Sequence, residues 1–447
     1  MTRLTARRLP VHQGPAAWNA ILPDQPPPDP LAKDTAADLV IVGAGFAGLS
    51  AALRFHQLEP TSRITVLDAG RLAEGAAGRN SGFMIDLPHD LTSDDYAGSG
   101  DDREMIVLNR KAIAFAQDAV DQFAIDPNFF DPVGKVNGAA GAQAQAHNES
   151  YARHLAHLGE RCEMLDAQQM QDLTGSGHYA GGLYTPGTVM LQPAGYIRGL
   201  GDGLRDLGVR LYENSPVTGI TKAKGGAWQV ETPAASVTAD RVILTVNGHL
   251  ESFGFERGRL MQLFLFATMT AELDANAQKV LGGQTRWGVT PSDPMGTTLR
   301  RIDSTQGGHR IVTRTCAVLS PGMRPSSRDL DRAISVMRRK FDQRFPALRG
   351  YPMEYQWSGH LCLSRNGVSV MRELEPGLFA GCVQNGLGTA RGTLTGIGAA
   401  ELAHGTESDV TRHFGEQPRP SLLPPRPVRE TAANAFLRWK EWQARDD

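Results

Sequence analysis

The sequence predicts an α/β protein in which a parallel sheet, assembled from separated stretches of chain, carries an inserted domain built on an antiparallel sheet. Three observations lead there. The apolar run Asp38-Leu39-Val40-Ile41-Val42 enters Gly43-Ala44-Gly45-Phe46-Ala47-Gly48, and strong helix formers follow. Such a run reads as a parallel strand buried on both faces. Strand-and-turn patterning fills residues 216–246 and resumes from 260 to about 318. Near the far end, apolar residues 377–383 lead into a second glycine-rich turn, Asn385-Gly386-Leu387-Gly388-Thr389-Ala390-Arg391-Gly392, and then a helix-like stretch.

Length and composition bound the rest. At roughly 150 residues per domain, 447 residues allow two or three domains. Lys plus Arg number 46 against 48 Asp plus Glu, a net charge of -2, which lacks the basic footprint of a nucleic-acid binder. Cys162, Cys316, Cys362 and Cys382 are scattered, with no C-x-x-C. That excludes a disulfide scaffold, argues against a structural metal and points to a reducing compartment. The basic start MTRLTARRLP has no apolar segment behind it, so no secretory signal is expected. The apolar uncharged run 39–53 is shorter than the ~20 residues of a membrane span and contains glycines. The expected location is cytoplasmic.

Residues 1–36 read as a polar arm ending in a proline-rich extended stretch, with Trp18 and Ile21 packing it on the body. The parallel unit is expected to draw on 37–100, 175–255 and 355–415. The inserted substrate domain takes 101–174 and 256–354, and 416–447 form a Pro-rich tail with an exposed helix. Residues 103–125 and 148–173 read as amphipathic helices, 196–207 as a further helix and 328–345 as another.

The first glycine turn carries the chemistry. Gly43 permits the tight turn, Gly45 lets a pyrophosphate approach the backbone, and Gly48 allows close helix–sheet packing. The helix start at Phe46 and Ala47 offers unpaired N–H groups to phosphate. Asp68 lies twenty positions after Gly48, at the end of the next strand, the spacing of a carboxylate that binds a ribose diol. These features make the parallel unit Rossmann-like. Three further segments favour FAD over a nicotinamide. They are the small-residue loop Gly75-Ala76-Ala77-Gly78-Arg79-Asn80-Ser81-Gly82, the meander end Thr245-Val246-Asn247-Gly248, and the second glycine-rich helix start at 385–392.

Taken in order, these motifs resemble the D-amino acid oxidase-type family of FAD-dependent oxidoreductases, and within it the γ-glutamylputrescine oxidase-like branch and the sarcosine and glycine oxidases. Leu191-Gln192-Pro193 and Tyr355-Gln356-Trp357-Ser358-Gly359 belong to the same series. The resemblance spans roughly residues 35–405 and implies a Rossmann-like FAD-binding domain with an inserted substrate domain on an antiparallel sheet. It assigns cofactor contacts to Gly43, Gly45, Phe46, Ala47, Gly48, Asp68, Ala69, Arg71, Gly78, Arg79, Asn80, Ser81, Gly82, Val217, Asn247, Gly248, Trp357, Gly386, Leu387, Gly388 and Thr389. The chain departs from the family at Leu387 and Gln192, where histidines are usual, and at Ser364-Arg365-Asn366 in place of Thr-x-Asp. Relatives that bind FAD covalently use a cysteine near the Trp357 segment. Here that point falls near Ser358, so dissociable FAD is expected.

The resemblance implies hydride transfer from a carbon bearing an amine to flavin N5, giving an imine that water hydrolyses. Oxygen or another acceptor then takes the electrons. The flavin carries the redox step while the protein orients, excludes water and favours the neutral amine. Arg300, Arg301 and Arg314 sit on strands of the inserted sheet and are candidates to grip a substrate carboxylate. His360 is the candidate at the flavin edge, and Phe83, Met84, Trp357 and His89 are candidates for the pocket. Two other readings stay open. One is a flavin dehydrogenase of a C–O bond, with His360 or His89 as base. The other is a protein that retains flavin without amine turnover. A nicotinamide-linked reductase is disfavoured by the single G-x-G-x-x-G.

Overall fold

The computed structural model describes residues 3–6, 8–87, 102–223, 225–426 and 428–447. The elements that build the site begin with β1 (Thr35–Val42), α1 (Phe46–Leu58), β2 (Ile64–Leu67) and β3 (Lys135–Ala139). Next come β4 (Ser236–Leu244), β5 (Leu260–Thr270), β6 (Trp287–Pro291), β7 (Thr298–Ile302) and β8 (Arg310–Leu319). The last are β9 (Met353–Ser364), β10 (Leu378–Cys382) and α2 (Ala390–His404).

β1 lies between β2 and β4, parallel to both, and the end of β4 is parallel to β10. Leu39, Val40 and Ile41 are fully buried, as a strand covered on both faces requires. Alternation then divides the core. Leu39, Ile41 and Ile243 face α1 and α2, while Val40, Val42, Val242 and Leu244 face a second cluster around Trp228 and Leu250. α1 and α2 approach so closely that a Cβ on Gly396 would overlap the carbonyl of Ala47.

The second, eight-stranded sheet runs β9-β5-β8-β7-β6-β3 and continues through Gly181–Thr185 and Glu163–Asp166. It is antiparallel except where β6 meets β3. One face packs on the helix Ser327–Arg344 and a cluster containing Trp287, Val289, Leu299 and Ile311. The other looks toward the glycine turns.

Sheet membership departs from the expected boundaries. Residues 355–364 and 181–185, assigned above to the parallel unit, pair in the second sheet. The stretch 148–173 is not one helix. Gly159 in left-handed conformation ends the helix Ala142–Leu158, a short strand follows, and Asp166 caps the helix Ala167–Thr174 through a reciprocal bond with Gln169. The tail helix Val428–Gln443 exposes Phe436, Trp439 and Trp442, yet its other side serves the sheet. Where β8 outruns β7, Glu441 and Asn434 accept from the N–H groups of Ala317 and Leu319. Among the described residues, no helix is long and apolar enough to cross a membrane.

Gly396→Ala is expected to destabilise the protein by about 1–3 kcal/mol, because the new methyl must push two helices apart. An unchanged Tm would show that α1 and α2 can separate without cost.

Candidate active site

The first glycine turn is set by sterics. Gly43 adopts φ +104°, and a Cβ there would lie 2.9 Å from the carbonyl oxygen of Thr245. A Cβ on Gly48 would overlap the carbonyl of Gly43, so α1 can begin this close to the turn only with glycine at 48. A Cβ on Gly45 would meet only Ala77, at 3.6 Å, which leaves its backbone open to the cavity. Thr245 ties β4 to the turn by donating to the carbonyls of Val42 (2.8 Å) and Gly43 (3.0 Å). Asp68 accepts from the N–H groups of Ala44 (2.7 Å) and Gly70 (2.9 Å). Burial raises its pKa and these two bonds oppose the rise.

The loop after Asp68 is clamped from two sides. Trp18 of the arm donates to the carbonyl of Asn80 (2.8 Å), and Trp357 of β9 donates to that of Arg79 (3.0 Å). The Arg79 guanidinium reaches the carbonyls of Glu74 (2.7 Å), Gly14 (3.0 Å) and Ser358 (3.2 Å). Its burial lowers its pKa to about 10. At the second glycine turn Gly386 adopts φ +86°, and Thr389 donates to the carbonyl of Phe83 (2.7 Å) before α2 begins.

These segments enclose one cavity of about 750 Å³. Phe46 and Ala47 at the start of α1, and Gly388 and Thr389 at the start of α2, all line it. It therefore receives two helix N-termini, each with N–H groups that lack intrahelical acceptors. Gly43, Gly45, Asp68, Ala69, Arg71, Arg79, Asn80, Ser81, Val217, Asn247, Trp357, Gly386 and Leu387 line it as well. Asn247 Oδ1 and His249 Nε2 are buried on its wall with no partner among the described residues, as polar atoms awaiting a ligand would be. The residues therefore fit a dinucleotide cofactor. Gly48, Gly78, Gly82 and Gly248 stand behind the wall. A Cβ on Gly78 would overlap Ala73, one on Gly82 would overlap Arg300, and one on Gly248 would overlap Gln262.

The second sheet supplies the opposite wall through Phe266 and Ala267 of β5, Thr290 of β6, Thr298 of β7 and Arg314 of β8, with Phe83 and Ile85 nearby. The basic candidates separate here. Arg314 lines the cavity. Arg300 does not: its guanidinium donates to the carbonyls of Gly82 (3.1 Å) and Leu191, meets Gln306 (3.3 Å) and lies over the Trp18 ring at 5.1 Å. Its role is to pin arm, loop and sheet together. Arg301 points to the other sheet face, where it donates to the carbonyl of Gly282. Met84 is buried in the core beside Phe83 rather than on the wall. His89 lies outside the described residues.

His360 lines the cavity and shares a 2.9 Å hydrogen bond with Gln262 Oε1. Gln262 donates its own amide to the carbonyl of Gly248, so the His360 Nε2 is the donor. Two lining histidines, His12 and His249, were not anticipated. The arm does more than pack: Gln13 exchanges hydrogen bonds with Ser358 at 2.8 and 2.9 Å, which lays Leu9, Pro10, Val11 and His12 along the cavity. The signal available in the sequence was the short apolar stretch before Gly14. Gln192 also has a task of its own, capping the helix Pro193–Asp206 through the Gly195 N–H (2.8 Å) and holding the carbonyl of Trp18 (2.8 Å). Cys362 lines the cavity, but burial holds its thiol well above the usual range, so it is not a ready nucleophile. Among the described residues, no cluster of His, Cys, Asp or Glu could hold a metal ion.

Comparison with known proteins agrees with this geometry. A family model described as "FAD dependent oxidoreductase" (DAO) matches residues 38–402. The chain is 24% identical to "Probable oxidoreductase OrdL" of Rhizobium meliloti, over 91% of this chain and 92% of that protein. It is also 24% identical to "Gamma-glutamylputrescine oxidoreductase" of Escherichia coli, over 85% and 86%. Among solved structures, glycine oxidase from Geobacillus kaustophilus superposes with a TM-score of 0.68 at 17% identity, covering 83% of this chain and 96% of that one. L-Amino acid deaminase from Proteus myxofaciens gives 0.65 at 13%, covering 92% and 97%.

The histidines make stability depend on pH. Burial lowers the pKa of His12 and His360 to about 3 and that of His249 to about 4. Their unfolded values lie near 6.5, so the unfolded chain takes up these protons first as the pH falls. The stability they allow is complete above about pH 6.5 and is lost between there and pH 3–4. Denaturation midpoints should drop steeply from pH 6.5 to 4.5, and His360→Gln should make that slope shallower. An identical slope in the variant would contradict the account.

Proposed function

The chain belongs to the DAO family of FAD-dependent oxidoreductases, and on that premise we propose that it oxidises a C–N bond of a small amine or amino acid. The observation that carries this reading is the character of the cavity wall opposite the glycine turns. It combines one guanidinium, Arg314, with apolar and hydroxyl side chains and with histidines that burial keeps neutral. A hydroxy acid needs a base for its hydroxyl proton, and an imidazole held at a pKa near 3 is a poor one. A neutral amine needs only its lone pair. The activities for which the similar glycine oxidase and γ-glutamylputrescine oxidoreductase are named support the same direction.

Bound FAD supplies the hydride acceptor and carries the redox change. The turn at Gly43–Gly48, Asp68 and the starts of α1 and α2 hold the cofactor, and the helix ends favour its negative groups. Arg314 grips a substrate carboxylate with two hydrogen bonds. Phe83, Phe266, Trp357 and the arm at Leu9–His12 exclude water from the reacting faces. FAD is held without a covalent link, since Ser358 stands where relatives attach it and Cys362 stays protonated. The working location is the cytoplasm, and the electrons pass to oxygen or another small acceptor.

Turnover of a panel of amines, amino acids and 2-hydroxy acids with an artificial electron acceptor tests the reading. A carbonyl product with release of ammonia or an amine is expected, and turnover of hydroxy acids alone would overturn it. Arg314→Met should raise KM for a carboxylate-bearing substrate by about 10- to 100-fold, the equivalent of 1.5–3 kcal/mol for a charged hydrogen-bond pair. Arg300→Met should instead lower Tm. The reverse pattern would assign the carboxylate to Arg300. Acid precipitation should leave the yellow colour in the supernatant, and colour in the pellet would show a covalent link.

A further inference from the structure

β3 and β6 run side by side with Asn137 opposite Thr290. On the face they turn to the cavity lies a buried amine that the chemistry above does not use. Lys135 is 3% exposed, and its Nζ donates to Asn137 Oδ1 and to Thr290 Oγ1 at 3.2 Å. Thr290 in turn lines the cavity and donates to Asn137 Oδ1 at 2.7 Å. We propose that Lys135 is the proton acceptor for the substrate's ammonium group, reached through the hydroxyl of Thr290.

The need for an acceptor is chemical. An alkylamine with a pKa of about 10 arrives at neutral pH as R–NH3⁺, which has no lone pair to drive oxidation. In the proposed step Lys135 is neutral and the Thr290 hydroxyl turns its proton from Asn137 Oδ1 to Nζ; a proton then leaves the substrate nitrogen for Thr290 Oγ1 while the hydroxyl's own proton passes to Lys135 Nζ. One N–H bond breaks, another forms, the hydroxyl is regenerated, and no electrons move. The ammonium so formed keeps Asn137 Oδ1 as its acceptor.

The surroundings suit that task. Among the described residues, the hydrogen-bond partners of Lys135 are neutral oxygens, so its charged form is weakly compensated and burial brings its pKa down to about 8. Asp86, following the lining Ile85, is the charge that acts on it and opposes that fall. Asp86 is itself committed to Arg110 at 3.0 Å, and Arg110 also pairs with Glu160. From the flanking strand Gly181–Thr185, Thr185 stands opposite Lys135, and from the helix Ala142–Leu158, Asn148 donates to the carbonyl of Asn137 at 2.9 Å. Arg314 lies on the same wall as Thr290, two strands away, and Arg79 lies across the cavity; both are guanidiniums, and the lining histidines are too weakly basic.

The inference rests on the amine reading, so two readouts are needed. In the first, the pH dependence of the rate of flavin reduction by an amine is followed anaerobically. The second-order rate constant of the wild type should rise tenfold per pH unit to a plateau near pH 8. Lys135→Gln should move the plateau from near pH 8 to the substrate's own amine pKa near 10, leaving the variant about 100-fold below wild type at pH 7. Thr290→Val should do the same and Thr290→Ser should keep the wild-type profile, which guards against a merely structural effect. In the second, lysine NMR assigned by Lys135→Gln should show Lys135 titrating near 8 in the wild type and still near 8 in Thr290→Val. A wild-type rise that tracks the substrate's own amine pKa, or a plateau that stays near pH 8 in Lys135→Gln, would overturn the proposal. So would a Lys135 that titrates above 10. Failure of any amine to reduce the wild type would instead sink the amine reading itself.

Discussion

The structure depends on one close approach of backbone to backbone, where β1 turns into α1. Gly43, Gly48 and Thr245 meet within van der Waals limits that only hydrogen at the two glycine positions satisfies. This contact places the start of α1 over the end of the parallel sheet and leaves Gly45 facing open space. Everything the site needs is then referenced to that point. Asp68 is drawn in by the N–H of Ala44 in the same turn. α2 can bring a second helix start to the cavity because Gly396 lets it lie against α1 at Ala47.

Holding the second sheet over this cavity is the work of side chains that never touch it or touch it only at an edge. Arg300, Trp18 and Gln192 link the arm, the small-residue loop and the sheet by bonds to backbone carbonyls and a stacked ring. Arg79 does the same between the loop, the arm and β9. The arm is thus part of the enclosure. Its histidine, with His249 and His360, adds polar side chains that burial keeps uncharged at neutral pH. Such side chains suit a site that must keep an amine neutral.

The sequence made the parallel unit legible because each signal there is local. The buried run, the glycine spacing and the acid twenty positions on all lie within one short stretch of chain, and each residue's task follows from its own backbone. The second sheet was legible in kind but less so in membership. Residues 353–364 carry both a cavity-lining tryptophan and the edge of that sheet, and patterning alone does not say which neighbour a strand pairs with. The arginines show the same limit. Arg300 and Arg314 share one sheet face by register, and only the position of Leu191, Gly82 and Trp18 decides that one is structural and the other faces the cavity. Lys135, His12 and His249 drew no attention because none sits in a motif; their significance comes from burial and from chain segments far apart in sequence.

The central claim is that this cavity holds FAD against a wall built for an amine. The visible spectrum of the purified protein, recorded anaerobically as amines, amino acids and hydroxy acids are added in turn, tests it most directly. The account predicts an oxidised flavin band that an amine or amino acid bleaches. Protein that keeps its fold yet shows no flavin band and cannot be reconstituted with FAD, or a flavin that only hydroxy acids bleach, would contradict it.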